Sequence, residues 1–396
     1  MSLREGKPTY RFASCMNHLP VSFLDELFRI SAVPGLISFA GGLPDASFFD
    51  LEGIKAAADR VFQEQGKNAL QYTTTDGYLP LREEISKRYK RRLGLDINPD
   101  EIQIVNGSQQ SLDLVAKILT NPGDTILIER PGYLGAIEAF SFYRPRFSGI
   151  NPDKEGPDIE ILKTRLFEDN PVFFYGIPNS QNPSGLTWSD KRRREVAEIL
   201  SDTSCLFYED DAFGELFFDG KPRQPVMRYN PEKTMLSGSF SKIIAPGLRT
   251  GWIRAPPEVL TAFNRAKQAA DLHSNLFSQM ILTEYIQTHD IDKNSRQMAT
   301  EYEKRCKIMT DLVKDLLPDT IDHTRPVGGM FMMLTLPDSM HSMEVFHKGI
   351  KRGVAVMPGI PFYTDDGGCR TIRLNFSASS EEQIKTGMER LSKVFE

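Results

Sequence analysis

Gly238–Trp252 reads "GSFSKIIAPGLRTGW" and sets Ser239, Ser241, Lys242 and Arg249 close together around a Pro-Gly pair. Pro246-Gly247 cannot continue a regular helix, so the stretch is a shaped loop after the strand-like run "TMLSGS" at 234–239. It is either a solvated turn or a site. An amine nucleophile suits covalent capture of a carbonyl through a Schiff base. Two hydroxyls and an arginine beside it suit a phosphate.

The flanking sequence places this loop in an alternating fold. From about residue 51 to 285, helical stretches such as "LEGIKAAADRVFQEQ" and "QSLDLVAKILT" alternate with short apolar runs. The runs are "IQIVNG", "DTILIER", "VFFYGIP", "CLFYEDD", "TMLSGS" and "GWIRAP". Each is strand-sized and most end at polar, Gly or Pro residues, which predicts an α/β fold with a mostly parallel sheet. Ligands bind such sheets at the carboxyl ends of the strands. After about 285 a long charged helical stretch (283–317) precedes "GGMFMMLTL", a helix near "SMEVFHKGIKRG", "VAVMPGIPF", "TIRLNFS" and a final helix. The expected division is therefore a large domain at 51–285 and a smaller α+β domain at 286–396, joined by residues 1–50.

The 396 residues suffice for two domains or one large domain with a satellite, and 40 % are apolar, which supports a sizeable core. A net charge of -5 gives no bulk attraction to nucleic acid or an anionic membrane. Two basic runs, "SKRYKRRLG" from Ser86 and "DKRRREVAE" from Asp190, read as solvated helix faces. Cys15, Cys205, Cys306 and Cys369 form no CxxC, which suits free thiols in a reducing, cytoplasmic setting. The six histidines form no HExxH or His/Cys cluster, so no metal site is expected. The first residues lack an apolar signal core, and no apolar run reaches the roughly 18 residues of a membrane span.

The strand ends hold further polar groups. "IVNGSQQSLDL" passes from a strand into a helix near Ser108, where free N–H groups and a hydroxyl make an anion cradle. "ERPGYLGA" places the aromatic Tyr133 past a strand, "IPNSQNPSG" offers Asn182 in a rigid turn, and "FYEDDAF" ends a strand on carboxylates. Singly, Asn182 could start a turn, Asp210 cap a helix and Lys242 face solvent. Together they match one ligand: a cationic ring, an aldehyde and a phosphate, which is pyridoxal 5'-phosphate (PLP). GxxxxGK[ST] and GxGxxG motifs are absent.

From about Phe23 onward the chain resembles fold type I PLP-dependent aminotransferases. The resemblance rests on "AGGLPD", "LQYTTTDGYLPLRE", "NGSQQSLDL", "PGYLGA", "NSQNPSG", "YEDDAF", "SFSKIIAPGLRTGW", "PVGGMF" and "TIRLNFS", in that order. Within the family it is similar to the branch of 2-aminoadipate, kynurenine and aromatic aminotransferases. The resemblance implies that Lys242 forms the Schiff base and then moves the substrate proton. It implies that Ser239, Ser241 and Arg249 hold the phosphate with Ser108 and Gln109, and that Tyr133 stacks on the ring. Asn182 would contact the ring oxygen and also the substrate, and Asp210, rather than Asp211, the ring nitrogen. Arg373 would bind the substrate carboxylate as a planar fork, with Arg370 structural, and Gly42 and Leu43 would adjoin the substrate. Tyr72 would reach the phosphate of a neighbouring subunit, giving a homodimer with shared sites. Phe213 departs from the family, which has a tyrosine there that donates to the ring oxygen.

Relatives that favour 2-aminoadipate often carry an arginine upstream of "GGLP", where this chain has Asp25 in "SFLDEL". Asp25 either repels an anionic side chain or merely caps a helix or faces solvent. Phe23, Leu24, Leu43 and Phe362 could line an apolar pocket, which predicts a neutral aromatic or aliphatic amino donor, with 2-oxoglutarate as a possible acceptor. An acidic acceptor would call on another cation, for which Arg29 is the nearest candidate. The competing readings are a β-lyase or decarboxylase on the same apparatus, a 2-aminoadipate aminotransferase despite Asp25, and a non-enzymatic regulator. A regulator of this fold carries a DNA-binding head, and none precedes "AGGLPD".

Overall fold

The computed structural model describes residues 10–17, 19–20, 23 and 33–396. The chain enters the sheets through β1 (Ile37–Ser38). A seven-stranded sheet follows, made from β2 (Ile102–Val105), β3 (Thr125–Glu129), β4 (Arg146–Ile150), β5 (Phe173–Gly176), β6 (Leu206–Asp211), β7 (Thr234–Ser239) and β8 (Gly251–Arg254). Its spatial order is β2-β8-β7-β6-β5-β3-β4, and every neighbouring pair is parallel except the two that β8 makes.

Strand residues alternate between two buried faces. Phe174 and Phe207 turn to one face, where they pack with Trp188, Val196 and Leu200 beside the helix Asp190–Ser201. Tyr175 and Tyr208 turn to the other, against Leu112 and Val115 of the helix Ser108–Leu119 and Phe263 of the helix Pro257–Asp271. Burial on both faces explains why these strands read as continuous apolar runs.

The C-terminal strands are β9 (Asp322–His323), β10 (Phe331–Thr335), β11 (Val354–Ala355), β12 (Met357–Pro358) and β13 (Thr371–Asn375). Four of them form an antiparallel sheet in the order β12-β13-β10-β9. β1 pairs in parallel with β11, Ile37 opposite Val354. Residues near the start of the chain are thus tied to its last third.

Three sequence expectations need correction. β4 was absent from the expected strands, because "RFSGI" sits at a sheet edge with Arg146 exposed and only part of the run buried. The long stretch expected as one helix is two, Leu276–Thr288 and Ile291–Leu316. Asp290 starts the second by accepting the Lys293 N–H at 3.0 Å. The basic runs are not simply solvated faces, since Arg88, Arg192 and Arg193 are buried. Arg88 pairs with Glu215 and, at 2.9 Å, with Asp292. Among the described residues no helix is long and apolar enough to cross a membrane.

Candidate active site

A cavity of about 570 Å³ opens at the carboxyl ends of β5, β6 and β7. Lys242 lies in the short 3-10 turn Phe240–Lys242 that follows β7, and its Nζ donates to the Gly42 carbonyl at 2.9 Å. Burial, with the nearby Arg373 and Arg249 charges adding to it, lowers the Lys242 ammonium to about 8 from its ordinary 10.5.

The phosphate-type half of the site converges from three elements. Ser239 and Ser241 line the cavity, and the Ser239 hydroxyl accepts the Ser241 N–H at 3.1 Å. Ser108 opens its helix without any side-chain cap, and while the Gln110 N–H donates to the Gly107 carbonyl at 3.1 Å, those of Ser108 and Gln109 remain available to an anion. Arg249 adopts a left-handed backbone (φ 49°), and its Nη2 donates to the Asn106 carbonyl at 3.3 Å. Gly107 (φ 74°) makes that approach possible, because a Cβ there would lie 2.5 Å from Arg249 Nη2. Gln109 lines the same corner and donates to the Gly135 carbonyl at 2.7 Å.

The opposite wall carries buried charge. Asp210 accepts the Tyr175 hydroxyl on Oδ2 at 2.8 Å, while its buried Oδ1 has no hydrogen-bond partner. Burial pushes its carboxyl up to about 6 from 3.8. Asp211 points away from the cavity and accepts Asn179 Nδ2 at 2.6 Å on Oδ1. Arg373 on β13 is buried, donates to Asn182 Oδ1 at 2.7 Å and to the Ala40 carbonyl at 2.6 Å, and leaves Nε unpartnered. Its guanidinium lies over the Phe331 ring at 4.3 Å, and burial lowers it to about 9.

Gly42, Leu43, Tyr133 and Asn182 also line the cavity, so every expected site residue meets there except Tyr72. Tyr72 is 76 % exposed, outside the cavity of its own chain, with its ring edge-on to His273 at 5.7 Å. Arg370 pairs with Asp338 at the surface. Phe362 is buried behind Arg373, 5.0 Å from its guanidinium, rather than in the cavity wall. Phe23 packs on Phe346 instead. Leu24, Asp25 and Arg29 lie outside the described residues. Sequence reading missed Phe331, Ile177, Leu134 and Tyr175. The Gly328-Gly329 turn ahead of Phe331 and the lone tyrosine ending "VFFY" were the available signals.

The sequence profile of the aminotransferase class I and II family matches residues 40–391. The chain belongs to that family. This aminotransferase is 36 % identical to an aromatic-amino-acid aminotransferase of Thermococcus litoralis over 94 % of its own length and 91 % of the relative's. It is 34 % identical to a 2-aminoadipate transaminase of Thermus thermophilus, covering 96 % of each. The crystal structure of the Thermus thermophilus α-aminoadipate aminotransferase, complexed with N-(5'-phosphopyridoxyl)-L-leucine, superimposes with a TM-score of 0.91, covering 97 % of each chain at 34 % identity. The aminotransferase has the fold type I architecture and is PLP-dependent. Its cavity fits the cofactor: the unpartnered Asp210 Oδ1 suits a cationic ring nitrogen, and the Ser108–Arg249 corner suits a phosphate.

At a value near 8, about one Lys242 in ten is neutral at pH 7, against roughly one in 3,000 for an ordinary lysine. Capture of PLP by the apoenzyme should therefore speed up about tenfold per pH unit below pH 8 and level off above it, in stopped-flow absorbance. Lys242→Ala should abolish turnover, and borohydride reduction of the parent enzyme should fix the cofactor on Lys242 and no other lysine. Asp210 raised from 3.8 to about 6 means the folded apoprotein holds a proton that the unfolded chain has released between those values. Above pH 6 the buried carboxylate costs the apo fold about 3 kcal/mol. Asp210→Asn should thus raise the apoprotein Tm at pH 7.5 in calorimetry while weakening PLP binding and turnover at least a hundredfold; a lowered apo Tm would contradict this.

Proposed function

We propose that the enzyme transfers the amino group of a neutral, aromatic or aliphatic L-amino acid to a 2-oxo acid, with 2-oxoglutarate a candidate acceptor. The observation that carries the reading is the cavity wall. Among its described lining residues the cations are Lys242, Arg249 and Arg373, each of which already has a partner group to serve. Leu43, Leu134, Ile177, Phe213 and Phe331 supply apolar surface beside them. A donor with an apolar side chain gains from that surface, about 25 cal/mol per Å² removed from water. A side-chain carboxylate, whether on 2-aminoadipate or on 2-oxoglutarate as acceptor, would need a further cation that the described lining does not supply, and Arg29, outside the described residues, is the candidate the sequence offers.

The positions of the lining residues support the remaining roles. Ser239, Ser241, Arg249, Ser108 and Gln109 would hold the cofactor phosphate, Tyr133 its ring face, and Asp210 its ring nitrogen. Two unit charges about 3 Å apart at an effective dielectric near 20 attract by roughly 5 kcal/mol before desolvation. Bound PLP supplies an electron sink that stabilises negative charge at the substrate Cα. Neutral Lys242 Nζ is the base that accepts the Cα proton. Arg373 would take the substrate α-carboxylate, oriented by Asn182 and the Ala40 carbonyl. Asn182 Oδ1 is occupied by Arg373, which leaves its Nδ2 to donate to the ring oxygen. Phe213 lines the cavity edge-on to Phe331 at 5.8 Å and offers no hydroxyl, so Nδ2 carries that contact without the family's tyrosine.

Assembly belongs to the same proposal. Tyr72 is solvent-facing beside Leu70, itself 72 % exposed, and neither reaches the chain's own cavity. A homodimer would cover both and bring Tyr72 to the partner's phosphate corner, where Arg249 is also exposed. The large domain would span 51–285, with 286–396 and the first fifty residues forming the smaller one. Free Cys15, Cys205, Cys306 and Cys369 support a cytoplasmic setting.

The runner-up donor is 2-aminoadipate, favoured by the name of the Thermus thermophilus relative. Comparing kcat/KM for phenylalanine, leucine, kynurenine and 2-aminoadipate separates the two. A tenfold preference for 2-aminoadipate, about 1.4 kcal/mol of transition-state binding, would reverse the proposal. Sedimentation should show a dimer. Mixing inactive Lys242→Ala chains with inactive Tyr72→Ala chains should restore part of the activity, whereas a fully active monomer would rule the shared site out.

A further inference from the structure

Arg193 lies outside the cavity, on the helix Asp190–Ser201, and is only 1 % exposed. Its acceptors are all neutral. Nη2 donates to Asn179 Oδ1 at 2.7 Å and to the Pro178 carbonyl at 2.9 Å, Nη1 to the Gln224 carbonyl at 3.2 Å, and Nε to the Trp188 carbonyl at 3.2 Å. Asn179 passes the interaction on by donating from Nδ2 to Asp211 Oδ1. A buried guanidinium is expensive unless it is fully bonded, and its planar fork lets one side chain hold several acceptors in fixed directions.

Each end of this relay adjoins a cavity residue. Asn179 is three residues before Asn182, in a turn where Ser180 has a left-handed backbone (φ 49°). A non-glycine residue holds that conformation only where its surroundings fix it. Arg193 grips the backbone just before Ser180, and Thr187 Oγ1 accepts the Ser180 N–H at 3.1 Å. At the other end, Asp211 follows Asp210 on β6. Period two sends Asp210 to the cavity and Asp211 to the face that carries Arg193.

Resting on the cofactor reading above, we propose that Arg193 is a positioning residue for transamination: through Asn179 it fixes the turn bearing Asn182 against the strand end bearing Asp210. Arg193 touches neither cofactor nor substrate. It sets the spacing between the amide proposed for the ring oxygen and the carboxylate proposed for the ring nitrogen. Losing the fork lets the two move independently, which weakens cofactor binding more than it weakens the fold. Lysine retains the charge but cannot reach several acceptors in one plane.

The test uses Arg193→Lys, Asn179→Ala and the double variant, with three readouts: Kd of the apoenzyme for PLP by fluorescence titration, kcat/KM, and apoprotein Tm. Each single variant is expected to raise the PLP Kd about tenfold and to lower kcat/KM at least as much, with the apo Tm within a few degrees of the parent. The double variant should be no worse than the worse single, because both changes break one relay. PLP Kd within twofold of the parent in both singles would overturn the proposal, as would losses that multiply in the double. So would a loss of binding that merely tracks a fall in Tm, since that marks ordinary packing. Should Arg193→Lys fail to fold, Asn179→Ala decides alone by the same limits. Failure here with Lys242→Ala still inactive would remove only the positioning role; an active Lys242→Ala would instead remove the underlying site reading.

Discussion

Buried charge held by neutral hydrogen-bond partners is the constraint around which this enzyme is arranged. β6 ends in three consecutive carboxylates, of which Glu209 and Asp210 are buried and Asp211 is half-buried. Neutral donors hold all three. Glu209 accepts the Val226 and Met227 N–H groups at 2.9 and 3.1 Å, Asp210 the Tyr175 hydroxyl, and Asp211 the Asn179 amide. Burial pushes the Glu209 carboxyl up to about 7. Across the cavity, Lys242 and Arg373 are cations whose recorded partners are carbonyl oxygens of the backbone or an amide. Asp210 Oδ1 and Arg373 Nε are left unpartnered in the one cavity that both residues line. Preorganised, water-poor charge of this kind is what binds a charged ring and stabilises charge that develops during reaction.

Holding such charges apart needs a stiff frame drawn from distant parts of the chain. The large sheet supplies Asp210, Asn182 and Lys242 at adjacent strand ends. The C-terminal antiparallel sheet supplies Arg373, and the segment after β1 supplies the Ala40 and Gly42 carbonyls. β1 is itself paired to β11, so that segment cannot shift without the C-terminal strands. A further clasp joins the two sheets, with Arg130 after β3 donating to Asp365 Oδ2 at 2.7 Å. Catalytic geometry is sensitive to displacements of an ångström, and each of these ties restricts one.

The apolar lining serves the same electrostatics. Phe331 under Arg373, and Leu134 and Ile177 nearby, exclude water from the charged groups and so strengthen their fields. Phe213 belongs to this lining. Its ring meets Phe331 edge-on, and it brings no hydroxyl to the cavity.

The strand order of chemistry was legible in the sequence because α/β folds punctuate themselves. Short β-branched and aromatic runs stop at Gly, Pro or charge, and ligand groups sit at those stops. Ser108, Tyr133, Asn182, Asp210 and Lys242 could all be found that way, while the preference for Asp210 over Asp211 came from the family resemblance. Other features depended on contacts between residues far apart in the chain, which no local pattern encodes. "DKRRREVAE" has the composition of a solvated face, yet Arg193 is buried because Pro178, Trp188 and Gln224 bring carbonyls to it. The edge strand β4 was hidden by its half-polar pattern, and a helix break at Asp290 by the helical residues around it. Tyr72, expected at a neighbouring subunit's site, faces away from its own cavity. Local propensity and period determined which residues stand at the strand ends; only the packed structure decided which side chains lose water, and so which charges the enzyme can use.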